Sequence, residues 1–167
     1  MKKSLIFLAA AILLLSGCKT WDGSADYGNV LIYIPQAMFD GGITNDYPVP
    51  SGGGEDSRNF RCDDRGIHIL LGVMRSGSYS GDAFSVKVSA SDSDFTEFTL
   101  PEKVSVEAGK KSASFTLDLP LSVLEDYAGQ TPAITVSISD PTAYSLSDVA
   151  TSVRVVTDID ALAALIP

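Results

Sequence analysis

The stretch "KSASFTLDLP" at residues 111–120 alternates strictly between polar and apolar side chains. Successive side chains of a β-strand point to opposite faces, so a period of two residues predicts a strand with one buried and one solvated face. The apolar face would hold Ala113, Phe115, Leu117 and Leu119. We therefore expect a sheet whose core lies on one side only.

Short runs of the same kind recur along the chain. Further strands are predicted within 29–35, 66–77, 83–90, 103–109, 133–140 and 150–159. Turn-rich segments such as "SGSYSGD" and "DPTAYS" separate them. Seven to eight short strands with such turns favour an all-β fold, an antiparallel sandwich of two sheets.

Two weaker signals complete the predicted sandwich. Tyr47 and Val49 would add a short edge strand beside the first strand, because Pro48 is tolerated only at an edge. Residues 120–129 predict one short helical crossover between the sheets, and Gly129 would end it.

Residues 1–17 have the features of an export signal. Lys2 and Lys3 precede an apolar stretch at 5–15, which is shorter than the roughly 20 residues of a membrane-spanning helix. The stretch ends in "LSGC" at 15–18, which resembles a bacterial lipobox. In such signals the cysteine sulfur receives a diacylglycerol and cleavage leaves that cysteine first in the mature chain, so Cys18 is the predicted lipidation site. The alternative is an ordinary cleavage site with an incidental cysteine.

Lipidation of Cys18 would fix the organisation of the remaining chain. We expect a tether at 18–28, an Ig-like domain at 29–160 and a C-terminal tail at 161–167. Two or more acyl chains give firm membrane anchoring. Because Lys19 rather than Asp follows the cysteine, the resemblance points to the outer membrane, at either the cell surface or the periplasmic face. Cys62 would then be left as a free thiol, because Cys18 is its only potential partner.

The charge of the chain argues against nucleic acid as a partner. The formal net charge is −9, and without Lys2 and Lys3 it becomes −11, from 10 basic and 21 acidic residues. A surface this acidic repels phosphate backbones.

Several stretches resemble a domain family of unassigned function. "NVLIYIPQA", "GVMRSG" and "DYAGQTPAITVSISDPTAYSLS" are similar to the Ig-like N-terminal domain of Bacteroidetes surface lipoproteins, and the similarity runs over about residues 29–160. "VEAGKKSASFTLDL" is also similar to Calx-beta domains, which are seven-stranded sandwiches. The first resemblance implies glycan-utilisation systems with SusE-like neighbours, and the second implies acidic loops that can bind calcium.

The ionisable residues do not form a catalytic pattern, and we expect no enzyme, no cofactor and no metal. Paired carboxylates occur at Asp63-Asp64, Asp92/Asp94, Glu125-Asp126 and Asp158/Asp160, all in predicted loops where solvated charges are the simpler interpretation. Calcium ligands from the "SDSD" at 91–94, Glu107, Asp126 or the "DID" at 158–160 remain an alternative. His68 is the only histidine and is interpreted as a core or sheet-face residue.

Ligand binding is predicted at three residues. Tyr79 and Tyr47 are candidate aromatic platforms for sugars, and Arg75 either bonds groups within the fold or faces a ligand. Trp21 is interpreted as a tether residue and Tyr144 as a structural corner tyrosine. Two functions stay open: a non-catalytic lipoprotein for glycan capture or adhesion that binds polysaccharide, and a structural or assembly subunit that contacts an outer-membrane protein.

Overall fold

A computed structural model of the chain describes residues 30–52, 54, 57–77 and 81–166. Within these residues ten strands form two five-stranded sheets around one apolar core, which confirms the predicted all-β sandwich. The predicted signal peptide, Cys18 and the whole of the predicted tether lie outside the described residues. No helix in the described ranges is long and apolar enough to span a bilayer.

The first sheet is built around the ten-residue strand β4. Its strands are β1 (Leu31–Tyr33), β3 (Phe60–Asp63), β4 (Gly66–Arg75), β7 (Ser112–Leu119) and β9 (Ser145–Leu146). β7 pairs with β4 along one side, from Ile67↔Leu119 to Met74↔Ser112. On the other side, β3 pairs with the first part of β4 and β1 with its last two residues.

The second sheet has the strand order β2-β10-β8-β5-β6. Its strands are β2 (Asp46–Val49), β5 (Phe84–Ser91), β6 (Lys103–Val106), β8 (Ala133–Ser139) and β10 (Ser152–Thr157). β2 runs parallel to β10, and β9 runs parallel to β1, whereas the other pairs are antiparallel. β2 is therefore an edge strand as predicted, but its neighbour is the last strand and not the first.

The sequence pattern that predicts β7 is the one that builds the core. Phe115, Leu117 and Leu119 are buried, while Ser112 and Ser114 are exposed. Burying a side chain of this size stabilises the fold by roughly 1.5–3 kcal/mol. The inward faces of both sheets contribute to a single cluster, so the two sheets form one structural unit.

Two short helices lie outside the sheets. α1 (Val123–Asp126) connects β7 in the first sheet to β8 in the second, as the crossover prediction requires, although it spans a single turn. α2 (Ile159–Ala163) follows β10 and buries Ile159 and Leu162 completely. Leu162, which lies in the stretch 161–167 expected to be a C-terminal tail, is part of the hydrophobic core.

Candidate functional site

A surface cleft, which we call the aromatic groove, lies where β1 leads into β2. It has a volume of about 360 Å³, and its lining consists of Pro35, Gln36, Phe39, Tyr47, Ser51, Gly52, Ser57 and Asn59. Small-molecule sites usually measure about 300–1,000 Å³, so the groove is at the small end of that range.

A turn of 3₁₀ helix, Pro35–Met38, places two of the groove residues. The ring of Pro35 presets the backbone for the first turn of a helix. Ala37 is buried completely, which fixes the turn against the sandwich and directs neighbouring side chains to the surface. Phe39 follows directly and is 53% exposed.

Phe39 packs edge-to-face on Tyr47 in the groove. Their ring centroids are 5.5 Å apart and the ring planes meet at 75°. Tyr47 belongs to β2 and is only 8% exposed, so the buried ring supports the exposed one. Burial raises the pKa of the Tyr47 phenol, and the Asn59 side chain offsets part of that effect. A supported aromatic ring with one free side is the kind of surface on which apolar faces of ligands stack.

Two amide side chains border the rings and differ in their remaining hydrogen-bonding capacity. Asn59 Oδ1 accepts from Ser51 N at 2.7 Å, and Asn59 Nδ2 donates to Pro48 O at 2.8 Å. Gln36 Oε1 accepts from Gly72 N at 3.1 Å, in the part of β4 between its pairings with β3 and β1. Within the described ranges Gln36 Nε2 has no hydrogen-bond partner, so this donor is oriented but unused.

The loop that follows Phe39 is hydrogen-bonded to one carboxylate and exposes an aliphatic side chain. The Asp40 carboxylate accepts from the backbone nitrogens of Gly42, Ile43 and Thr44, and from Thr44 Oγ1 at 2.6 Å. The Thr44 hydroxyl is the main reason why the pKa of Asp40 is lowered. Ile43, at the tip, is 84% exposed.

The residues predicted to bind ligand are placed in three different ways. Tyr47 lines the aromatic groove, but it is the buried member of the ring pair. Arg75 is completely buried, and of its two alternatives the structure shows bonds within the fold. Tyr79 and Cys18 lie outside the described residues. Ligand binding by all three candidates stays a prediction, as does lipidation of Cys18.

Arg75, which is completely buried, and the partly buried Tyr144 form a cluster with the loop before β5. Arg75 Nη1 donates to Asp82 O at 3.0 Å and to Tyr144 Oη at 3.2 Å, and its guanidinium carbon lies 5.8 Å from the Tyr144 ring centroid. Tyr144 has a left-handed φ of 66°, which is uncommon for a bulky residue. A Cβ at Gly81 would fall 1.9 Å from Arg75 Nη1, so this close approach requires glycine. The cluster matches the structural interpretation of Tyr144.

His68 lies on the outer face of the first sheet between two carboxylates. Its Nδ1 is 2.7 Å from Asp118 Oδ1 on β7, and its Nε2 is 3.1 Å from Asp63 Oδ1 on β3. Bonds to Asp118 and then to Asp63 raise the pKa of His68. Both ring nitrogens are occupied, so His68 serves as a link between strands and not as an available base.

Three of the paired carboxylates bond backbone nitrogens within the fold. Asp94 accepts from Ala133 N, Asp158 caps α2 through Ala161 N, and Asp160 accepts from Gly129 N. In the part of the chain that the structure describes, no three or more His, Cys, Asp or Glu side chains are grouped to hold a metal ion.

Cys62 on β3 is a free thiol within the described part of the chain. Burial and the nearby Asp63 charge raise its pKa. Because the thiolate is the reactive form, this environment lowers its nucleophilicity at neutral pH.

The comparisons with known proteins support the fold alone. No protein-family model matches the chain, and no curated protein matches it. Solved structures do match, among them the crystal structure of the apo-form Calx CBD1 domain, with a TM-score of 0.50 and 16% identity over 78% of this chain and 99% of that chain. The expected similarity to Calx-beta domains is therefore found at the level of the sandwich. The similarity to Bacteroidetes lipoproteins stays a prediction.

Sequence reasoning missed Phe39 and Gln36. The available signal is the tract "PQAMFDGG" at 35–42, in which two large apolar residues stand directly before turn residues outside any predicted strand. Apolar residues in such a position are either buried by the turn or left exposed. The structure leaves Met38 and Phe39 about half exposed.

Proposed function

We propose that the chain is a membrane-anchored, non-catalytic lipoprotein that captures glycans through the aromatic groove. The observation that carries the proposal is the half-exposed Phe39 ring, held by the buried Tyr47 ring in a cleft with polar walls. Sugar rings have apolar faces and hydroxyl edges, so a site needs an aromatic surface together with hydrogen-bonding groups.

The proposed anchor is a lipid on Cys18. The "LSGC" sequence supports it, and the tether from 18 to 28 would separate the sandwich from the outer membrane. Growth of cells with an alkyne-bearing fatty acid should label the full chain, and Cys18→Ser should abolish the label. Equal labelling of the parent chain and of Cys18→Ser would refute the proposed lipid anchor. Protease digestion of intact cells would then distinguish the surface from the periplasmic face.

Glycan capture is tested with the full chain purified in detergent. We expect soluble polysaccharides in a native gel to retard the protein, and Phe39→Ala to remove that retardation. Leu121→Ala is the matched control, because Leu121 is also a large exposed apolar residue but lies next to α1, away from the groove residues. Retention of binding by Phe39→Ala would place the binding surface elsewhere.

The alternative is a structural or assembly subunit that contacts an outer-membrane protein. The observation that favours it is the exposure of two aliphatic side chains, Ile43 at 84% and Val149 at 73%. Their loops are adjacent, since Asn45 Nδ2 bonds Val149 O at 3.5 Å. A photo-crosslinker at position 43 in intact cells would give one discrete protein adduct under this alternative. Such an adduct, together with absent polysaccharide retardation, would replace glycan capture by assembly.

A further inference from the structure

We propose that the aromatic groove selects neutral glycans, with a sugar face packed on Phe39 and a sugar oxygen accepting a hydrogen bond from Gln36 Nε2. This inference rests on the proposed function and narrows its ligand class.

The described residues that line the groove are uncharged. The side chains known to line it are a proline, a glutamine, two aromatic rings, two serines, a glycine and an asparagine. Recognition of carboxylate or sulfate groups in proteins relies on Arg, Lys or clustered backbone donors. The described lining supplies no such cation, whereas hydroxyl groups are well matched by amides and hydroxyls.

The charges around the groove disfavour anionic ligands. Asp40 directly follows Phe39, and its hydrogen bonds keep it ionised. Arg58 lies between the lining residues Ser57 and Asn59, and its guanidinium donates to Leu165 O at 3.3 Å. The Asp40 carboxylate and the net charge of −9 therefore disfavour the approach of an acidic polysaccharide.

Gln36 provides the groove with a hydrogen-bond donor of defined orientation. Its Oε1 is held by Gly72 N at 3.1 Å, so its NH₂ group has a defined orientation before any ligand binds. In the described structure this NH₂ group has no acceptor, and the neighbouring Ser51 hydroxyl likewise lacks a hydrogen-bond partner there. A donor that is already ordered loses little conformational entropy on binding.

The variant Gln36→Glu tests this geometry with minimal change of shape. A carboxylate keeps an oxygen that can accept from Gly72 N, but it replaces the NH₂ donor with a charged acceptor. We expect the affinity for neutral glycans to fall about tenfold. One hydrogen bond is lost, and the introduced carboxylate oxygen would face the sugar oxygen although both are hydrogen-bond acceptors. Thermal unfolding of Gln36→Glu should match that of the parent chain, which separates a binding effect from a folding effect.

The deciding experiment uses native gels with the full chain in detergent and two polysaccharide panels. The neutral panel contains β-1,3-glucan, α-mannan and glycogen, and the acidic panel contains polygalacturonate, alginate and chondroitin sulfate. Retardation by at least one neutral polymer only, lost in Phe39→Ala and weakened in Gln36→Glu, is the expected result.

The other outcomes separate the two proposals. Retardation by an acidic polymer that needs Phe39 would overturn neutral selectivity and leave glycan capture intact. Unchanged binding of neutral polysaccharides by Gln36→Glu would overturn the assignment of Gln36 Nε2 as the hydrogen-bond donor. Absence of retardation by either panel would overturn glycan capture itself, and neutral selectivity with it.

Discussion

The Phe84–Tyr144 pair and the Phe39–Tyr47 pair have nearly the same ring geometry. Both are edge-to-face, with centroids 5.9 Å and 5.5 Å apart. Each pair has one buried ring, since Phe84 is 3% and Tyr47 8% exposed. The second rings differ: Tyr144 is partly buried and bonded to Arg75, whereas Phe39 is 53% exposed. The first pair therefore closes one end of the core, and the second leaves an apolar surface facing solvent. The same contact can stabilise a fold or present a binding surface, depending on what covers the second ring.

The comparison predicts that loss of Arg75 is the most damaging change. Arg75→Ala would leave a cavity and the Asp82 carbonyl and Tyr144 hydroxyl without this donor, so the free energy of unfolding should fall by about 3 kcal/mol or more. Urea unfolding measures the effect. Arg154→Ala is the control, because the exposed Arg154–Asp46 pair should contribute no more than about 1 kcal/mol. Equal losses in the two variants would contradict a structural role for the Arg75 cluster.

Phe39→Ala should change folding stability little and ligand binding strongly. Because Phe39 is half exposed, its removal should cost less than about 1.5 kcal/mol of folding stability. Glycan affinity should fall at least tenfold, since the stacking surface is lost. Calorimetric titration and urea unfolding of the same sample separate the two effects. A large stability loss without a binding loss would make this pair structural like the other.

Tyr144→Phe tests what the hydroxyl group contributes to the Phe84–Tyr144 pair beyond the packing of the rings. The ring contact with Phe84 remains, but the bonds to Arg75 and Asp82 are lost. We expect a decrease of about 1 kcal/mol in the free energy of unfolding, typical of one net hydrogen bond. An unchanged urea midpoint would show that packing alone holds this end closed.

The smallest effect is expected from His68, through the pH dependence of stability. Its pKa is raised above the ordinary 6.5 by Asp118 and then Asp63, so its contribution is fully present below about pH 6.5 and is lost as pH rises through the folded value. Asp63 behaves in the opposite sense: its pKa is lowered from 3.8, first by His68, so its contribution is lost as pH falls through the folded value. In His68→Asn, the loss of thermal stability that the parent chain shows as pH rises above about 6.5 should be reduced. An unchanged pH dependence of stability in this variant would argue against the hydrogen-bonded link that His68 makes between β3, β4 and β7.

The sequence predicted the sandwich well because burial acts on every second residue of a strand. The alternation in β7 and the apolar run in β4 both correspond to observed strands. The strand β9 was not predicted because two residues are too few to show a period. The strand β3 was not predicted because it lies among polar and charged residues at 57–65. The neighbour of β2 was wrong for another reason: strand order depends on contacts between residues more than 100 positions apart, such as Asp46 and Arg154.

The groove could be predicted only in part. Tyr47 was identified because an aromatic residue between turn signals is conspicuous, but its burial depends on β10, which lies far away in sequence. The orientation of Gln36 depends on the free amide of Gly72, which arises because neither β3 nor β1 pairs with that part of β4. A backbone amide that no neighbouring strand pairs with is a property of the assembled sheet, and it has no local sequence signal.

The bond from Asn59 to Pro48 also affects how copies of this protein meet one another. β2 is an edge strand, and an open edge is a template for pairing with a neighbouring molecule. Pro48 lacks an amide hydrogen, and Asn59 Nδ2 already occupies its carbonyl. If the proposed anchor crowds many copies into one membrane plane, this blocked edge would disfavour strand pairing between copies through β2.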